Sequence, residues 1–199
     1  MSIESNTGTN IAQAFKVLLK TYENLDLLFT EMDMEAEEAG LIPLTQRPLR
    51  WKSDVHYSGW LINDFIKLYQ LKEELSPADE ANTSIGAVYG VEVNFEEDYP
   101  KLWLIRYTYD FSAWNRLPAV SDHPTFYYPL VDESAFRITE MHGLLKGIPV
   151  DDKVMKRYWG IREAVARSIP LVQVSSREAI RNEVFAPLAK LLDGNTDRM

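Results

Sequence analysis

From Ile11 the apolar residues Ile11, Phe15, Leu18, Tyr22, Leu25, Phe29, Met32 and Ala36 recur at alternating steps of four and three. That spacing holds one face of a helix apolar and predicts a long N-terminal helix. It also fits a coiled-coil heptad, but Leu19, Leu27, Leu28 and Met34 widen the stripe beyond a two-position seam, which favours a helix lying on its own domain. Gly40 then stands where a helix-ending glycine belongs. A second helical spacing in Trp60, Leu61, Phe65, Leu68 and Tyr69 predicts a helix to about residue 72, with "SPADEANTS" (76–84) as a connecting loop.

The period then changes to two. In "GAVYGVEVNF" the residues Ala87, Tyr89, Val91, Val93 and Phe95 alternate with Val88, Gly90, Glu92 and Asn94, and "LWLIRYTYDFS" alternates with the same parity. A polar connection, "EEDYPK", lies between them, so the two strands predict an antiparallel hairpin. A register in which paired positions sum to 198 sets Glu92 opposite Arg106 and Phe95 opposite Trp103. In that arrangement the odd-numbered aromatic side, Trp103, Ile105, Tyr107, Tyr109 and Phe111, is core. Glu92, Asn94, Arg106, Thr108 and Asp110 then share the even-numbered face, either as the solvent side of a sheet or as a polar site.

Further on, "FYYPLV" and "AFRITEM" read as short strands, and "DDKVMKRYWGIREAVARSI" as a helix opened by two aspartates. "PLVQV" reads as a short extended piece, and "SSRE", beginning at Ser175, as the capping box of a last helix. Pro187 should kink or split that helix. The whole is expected to be one α+β domain, 1–199, with loose tails at about 1–9 and 194–199. Its antiparallel β-sheet is built on a central hairpin (about 86–95 and 102–112), covered on one face by the long N-terminal helix and C-terminal helices.

Charge adds an asymmetry. The chain carries 21 Lys and Arg against 30 Asp and Glu, a net −9. From Lys146 onward ten basic residues meet seven acidic ones, a local +3, so residues 1–145 hold −12. Net acidity disfavours broad binding to nucleic acid or an anionic membrane. The acids at the end of the first helix, Glu31, Asp33, Glu35, Glu37 and Glu38, oppose its dipole. They are either a solvated face or a patch kept for a basic partner such as the chain's own C-terminal part.

Cysteine is absent, which removes disulfides, thiolate nucleophiles and Cys-ligated metal centres. No apolar run approaches the roughly 18 residues of a membrane span, and the start lacks the profile of a signal peptide, so a cytoplasmic protein is expected. The glycines form neither phosphate-binding spacing, and no G-x-S-x-G elbow occurs. His56, His123 and His142 are far apart and have no metal-ligand spacing, although they could converge with Asp54, Asp122 or Glu140. No metal or cofactor is expected.

Two regions remain as candidate sites. "RPLRWKSDVHYSGW" groups Arg47, Arg50, Trp51, Lys52, His56, Tyr57 and Trp60, residue types common where proteins meet. The even-numbered hairpin face offers Glu92, Arg106 and Asp110, an acid–guanidinium pair with a second acid, to a polar ligand or to proton transfer. The expected function is therefore that of a non-enzymatic protein-interaction protein, an accessory or adaptor subunit or an immunity-type binder. The alternatives are a small-ligand binder or enzyme that uses Glu92, Arg106 and Asp110 of the even-numbered face with a histidine in a pocket beside the sheet, and nucleic-acid contact through a basic helix at 153–167. For the pocket, concavity with perturbed carboxylates is the discriminating feature.

Overall fold

The computed structural model describes residues 3–53, 55–72, 85–95 and 98–192. Helix α1 (Ile3–Glu38) is followed by β1 (Leu41–Pro43), β2 (Asp64–Leu71), β3 (Ile85–Asn94) and β4 (Lys101–Asp110). Next come α2 (His123–Tyr127), β5 (Phe136–Met141), β6 (Leu144–Pro149), α3 (Asp152–Arg157) and β7 (Ile161–Pro170). The chain closes with α4 (Arg177–Ala179), a π-helical turn (Ile180–Phe185) and α5 (Ala186–Leu192). The strands form one sheet in the order β1-β2-β3-β4-β7-β6-β5, every neighbouring pair antiparallel. The β3–β4 hairpin lies at its centre, and the architecture is α+β as the periodicities predict.

Each face of the sheet carries its own core. On one, Leu25, Phe29, Met32 and Ala36 of α1 pack with Ile180, Val184, Phe185 and Leu188 onto Tyr89, Val91, Leu102 and Leu104. On the other, Trp114, Phe126, Phe136 and Tyr158 cover Ile66, Val88, Ile105, Tyr107 and Tyr109. Burial of each such side chain contributes about 1.5–3 kcal/mol relative to exposure.

The second core exists because of the hairpin register. Paired positions of β3 and β4 sum to 195 rather than 198, so Glu92 faces Trp103, Val91 faces Leu104 and Tyr89 faces Arg106. An odd sum puts even positions of β3 on the same side as odd positions of β4. The aromatic row of β4 is core, as expected, but it shares its face with Val88 and Glu92, while Tyr89 and Val91 belong to the opposite face. The anticipated even-numbered polar face does not form.

Four elements also differ from their periodicity. Residues 64–71 are strand β2, buried on both faces, and a two-sided strand loses the alternation by which it would be recognised. The stretch 128–130 is a 3₁₀ turn following α2 rather than a strand, and residues 171–173 likewise form a 3₁₀ turn. The expected helix at 151–169 stops at Arg157 and, after the left-handed pair Trp159 and Gly160, continues as β7. The basic helix expected at 153–167 therefore ends at Arg157, and Arg162 and Arg167 lie on a strand.

The last helical segment is capped by Ser176, one residue later than the pattern suggested, accepting from the Ala179 amide at 3.1 Å. Ahead of Pro187 the expected irregularity appears as the π-turn. Gly40, at φ 77°, ends α1 as its position implied. Helix α1 begins at Ile3, within the stretch expected as a tail. The loop 76–84 and the residues from 194 on lie outside the described residues.

The acidic end of α1 meets the basic end of the chain. Arg177 pairs with Glu31, its Nη2 donating to Oε1 at 3.1 Å, and Arg181 pairs with Glu35 and, at 2.8 Å, with Glu38. Of the two readings of that patch, the structure takes the one in which the chain supplies its own cations.

Candidate functional site

The β2–β3–β4 register collects polar groups on the face of the second core. Asp64 lies opposite Asn94 on the neighbouring strand, and Glu92 opposite Trp103 one rung on. His123, the first residue of α2, comes down over this patch, and its Nε2 stands 2.6 Å from Asp64 Oδ1. The Asn94 amide donates to Asp64 Oδ2 at 3.0 Å and to Glu92 Oε1 at 3.3 Å. Glu92 also hydrogen-bonds Asp64. All four side chains are buried, and burial of charged groups requires this kind of mutual satisfaction.

Two carboxyl groups joined by a hydrogen bond hold at least one proton between them. Burial first, and the charge of Asp64 second, push the Glu92 carboxyl well above the usual carboxylate range, with His123 and Asn94 opposing. Glu92 thus retains a proton at pH values where an exposed glutamate has lost it. The neighbouring phenol of Tyr107 is also held well above its ordinary range, by burial first and the Glu92 charge second. It donates to the Phe126 carbonyl at 2.7 Å, anchoring α2 over the site.

A cavity of about 160 Å³ opens beside this network, lined by Glu92, Asn94, Trp103, Tyr127, Leu130 and Leu145. Tyr127 stacks on His123, ring centroids 5.2 Å apart, and so joins the cavity wall to the charged cluster. The lining combines a carboxyl, an amide and two aromatic rings with aliphatic side chains, the composition of a small-ligand pocket. Its volume equals that of about five water molecules in the liquid. Among the described residues no three His, Asp or Glu side chains are arranged to hold a metal ion.

Of the predicted hairpin trio, only Glu92 belongs here. Arg106 and Asp110 are on the opposite side of the sheet: Arg106 stands 3.6 Å from Glu163, and Asp110 accepts from Arg162 at 2.9 Å and from the Ser112 amide at 3.2 Å. The register shift removes the expected Glu92–Arg106 pair. The histidines do not converge either. His56 packs on Tyr57 in an exposed loop, His142 occupies the β5–β6 turn at φ 52°, and Asp122 pairs with Arg116. Asp64, the partner of His123, carried no signal because residues 60–72 spell a helix.

The other candidate region forms a compact loop before β2. Ser53 donates to the Gly59 carbonyl at 3.0 Å and Gly59 to that of His56 at 3.0 Å. Trp51, Lys52, His56, Tyr57 and Trp60 are exposed on it. Arg47 and Arg50 are set apart from these, beside α1, where with Tyr22, Asp26 and Phe29 they line a second cavity of about 270 Å³. No helix among the described residues is long and apolar enough to cross a membrane. Compared with protein-family models, curated proteins and solved structures, the chain matches none.

Proposed function

We propose that the protein binds a small polar molecule in the cavity beside Glu92, with Glu92 acting as a protonated carboxyl that can donate to the ligand or yield its proton on binding. The observation that supports this reading is the position of a buried carboxyl, hydrogen-bonded to Asp64 and Asn94, in the wall of a cavity it shares with Trp103 and Tyr127. A carboxyl kept neutral by its surroundings can turn its proton from Asp64 to a ligand and accept on its other oxygen, which suits an amide, an amidine or a second carboxylic acid. The volume limits the bound part to a fragment of about five to ten heavy atoms.

The test is a panel of such fragments followed by nitrogen-edited NMR on the Trp103 indole and Asn94 side-chain amide. Binding should perturb both, and Glu92→Leu should abolish it while the rest of the spectrum stays dispersed. A panel that moves neither resonance at millimolar concentration would sink the proposal.

A second reading, protein contact through the loop at 47–60, is favoured by the exposure of Trp51, Tyr57 and Trp60 on one short segment. Its test is Trp51→Ala with Trp60→Ala. Loss of a co-purifying protein at unchanged melting temperature supports it, whereas a steep fall in melting temperature assigns those side chains to the fold.

A further inference from the structure

The heptad-like stripe of α1 continues well past the sheet it covers. Leu25, Phe29, Met32 and Ala36 are buried, but Ile11 and the ridge it begins are not: Phe15 is 65% exposed and Leu19 67% exposed. Apart from Leu18, every described side chain from Asn6 to Lys20 is exposed. The stretch from Ile3 to Leu19 is therefore an arm about 25 Å long, reaching beyond the body of the protein. A helix of this length is marginal in water by itself, and apolar residues on a projecting helix call for a cover.

The charges on the arm indicate what covers it. Residues 5–15, "SNTGTNIAQAF", carry no charge at all in a chain of net −9, so two copies can approach here without the repulsion they meet elsewhere. We infer that the arm pairs with the arm of a second copy, antiparallel and centred on Phe15. In that arrangement Ile11 of each copy lies against Leu19 of the other, and Lys16, Lys20 and Glu23 fall against Ala14, Asn10 and Thr7. A parallel pair would instead set Lys16, Lys20 and Glu23 each against itself and bring the acidic halves of α1 side by side, a like-charge cost the antiparallel pair avoids. The helix dipoles also oppose one another only in the antiparallel pair.

The area is of the right order. The Tyr22 hydroxyl donates to the Ile62 carbonyl at 2.7 Å, which seats the loop bearing exposed Trp60 and Leu61 at the base of the arm. Ile11, Phe15, Leu19, Trp60 and Leu61 each present about 100 Å² when half exposed, roughly 500 Å² in all. With intervening polar atoms this approaches the roughly 800 Å² per partner of a standard stable interface. The pairing is independent of the Glu92 cavity.

Sedimentation of the full chain at micromolar concentration tests it. The wild type should run at twice 22.9 kDa, and Phe15→Glu with Leu19→Glu should run as a folded monomer whose melting temperature, unlike the wild type's, does not rise with protein concentration. Orientation follows from the absence of cysteine: Thr7→Cys and Glu23→Cys, mixed and oxidised, should give the heterodisulfide in preference to either homodisulfide. A monomer at all concentrations would overturn the inference. So would a dimer that survives the double substitution, a preference for homodisulfides, or a wild-type monomer that instead binds anionic vesicles through the arm.

Discussion

Lys67, in the middle of β2, donates from Nζ to Asp33 Oδ2 of α1 at 2.8 Å, with its side chain only 1% exposed. The same ammonium donates to the Gln46 carbonyl at 3.0 Å, and Tyr69 donates to the other oxygen of Asp33 at 3.0 Å. A buried cation thus ties the long helix to the sheet, and the two ends of the pair are unequal because Asp33 retains contact with water.

That inequality gives a directional expectation. Asp33→Ala strands a buried ammonium on one carbonyl and should cost about 3–5 kcal/mol by urea denaturation. Lys67→Met leaves a carboxylate that water and Tyr69 still satisfy, and should cost less than half as much. Equal losses would show that solvent reaches Lys67.

Glu92 makes stability depend on pH. Its folded pKa is raised, so its contribution is present in full below the unfolded-state value of about 4.3. Above that value the unfolded chain releases a proton that the folded chain keeps. Stability therefore falls with rising pH, by at most about 1.4 kcal/mol per unit, until the folded group ionises as well. Glu92→Gln mimics the protonated side chain and should be more stable than wild type at pH 8, with the difference vanishing near pH 4. A constant difference across that range would assign the titration elsewhere.

The two arginines at the start of the C-terminal segment should behave differently. Arg181 answers Glu35, whose side chain is 2% exposed, whereas Arg177 answers Glu31, which is open to solvent. Arg181→Ala leaves a buried carboxylate without its cation, at a cost of about 1–3 kcal/mol. Arg177→Ala should lie within about 0.5 kcal/mol of wild type and lose even that at high salt. Thermal unfolding at two salt concentrations separates them.

Gly147 of β6 passes beneath the turn at Pro129. A Cβ there would lie 1.8 Å from the Pro129 carbonyl oxygen, whereas at Gly86 it would meet only the Phe111 ring, at 2.3 Å. Backbone cannot step aside as a side chain can, so Gly147→Ala should cost about 3 kcal/mol or more and Gly86→Ala about 1–2 kcal/mol. Comparable melting temperatures for the two would show that β6 moves freely.

Periodicity made α1 and the β3–β4 hairpin legible, because each buries one stripe and leaves the other different. It hid β2, since Asp64–Leu71 has no exposed face from which to alternate, and β7, whose Arg162, Glu163 and Arg167 kept the look of a charged helix. The site was legible through Glu92 and Asn94 on one strand face and through the expectation that a histidine joins them, a place His123 fills. Asp64 fell within the misread segment, and the register was argued from a Glu92–Arg106 pairing that the parity of the hairpin forbids; Arg106 found Glu163 on β7 instead. Sequence spacing identifies which side chains share a strand face, but not how two strands slide against each other.

The contact between Arg177 and Glu31 spans 146 positions, and the first core is closed by Ile180, Val184, Phe185 and Leu188. During synthesis α1 and strands β1 to β4 leave the ribosome well before β7 and the segment that roofs them. With so much of its packing non-local, the chain must pay the entropy of closing a very large loop before the last contacts reward it, which makes folding slow. The nascent protein therefore carries an unroofed apolar trough until residues 177–192 emerge, the interval in which it most needs a chaperone.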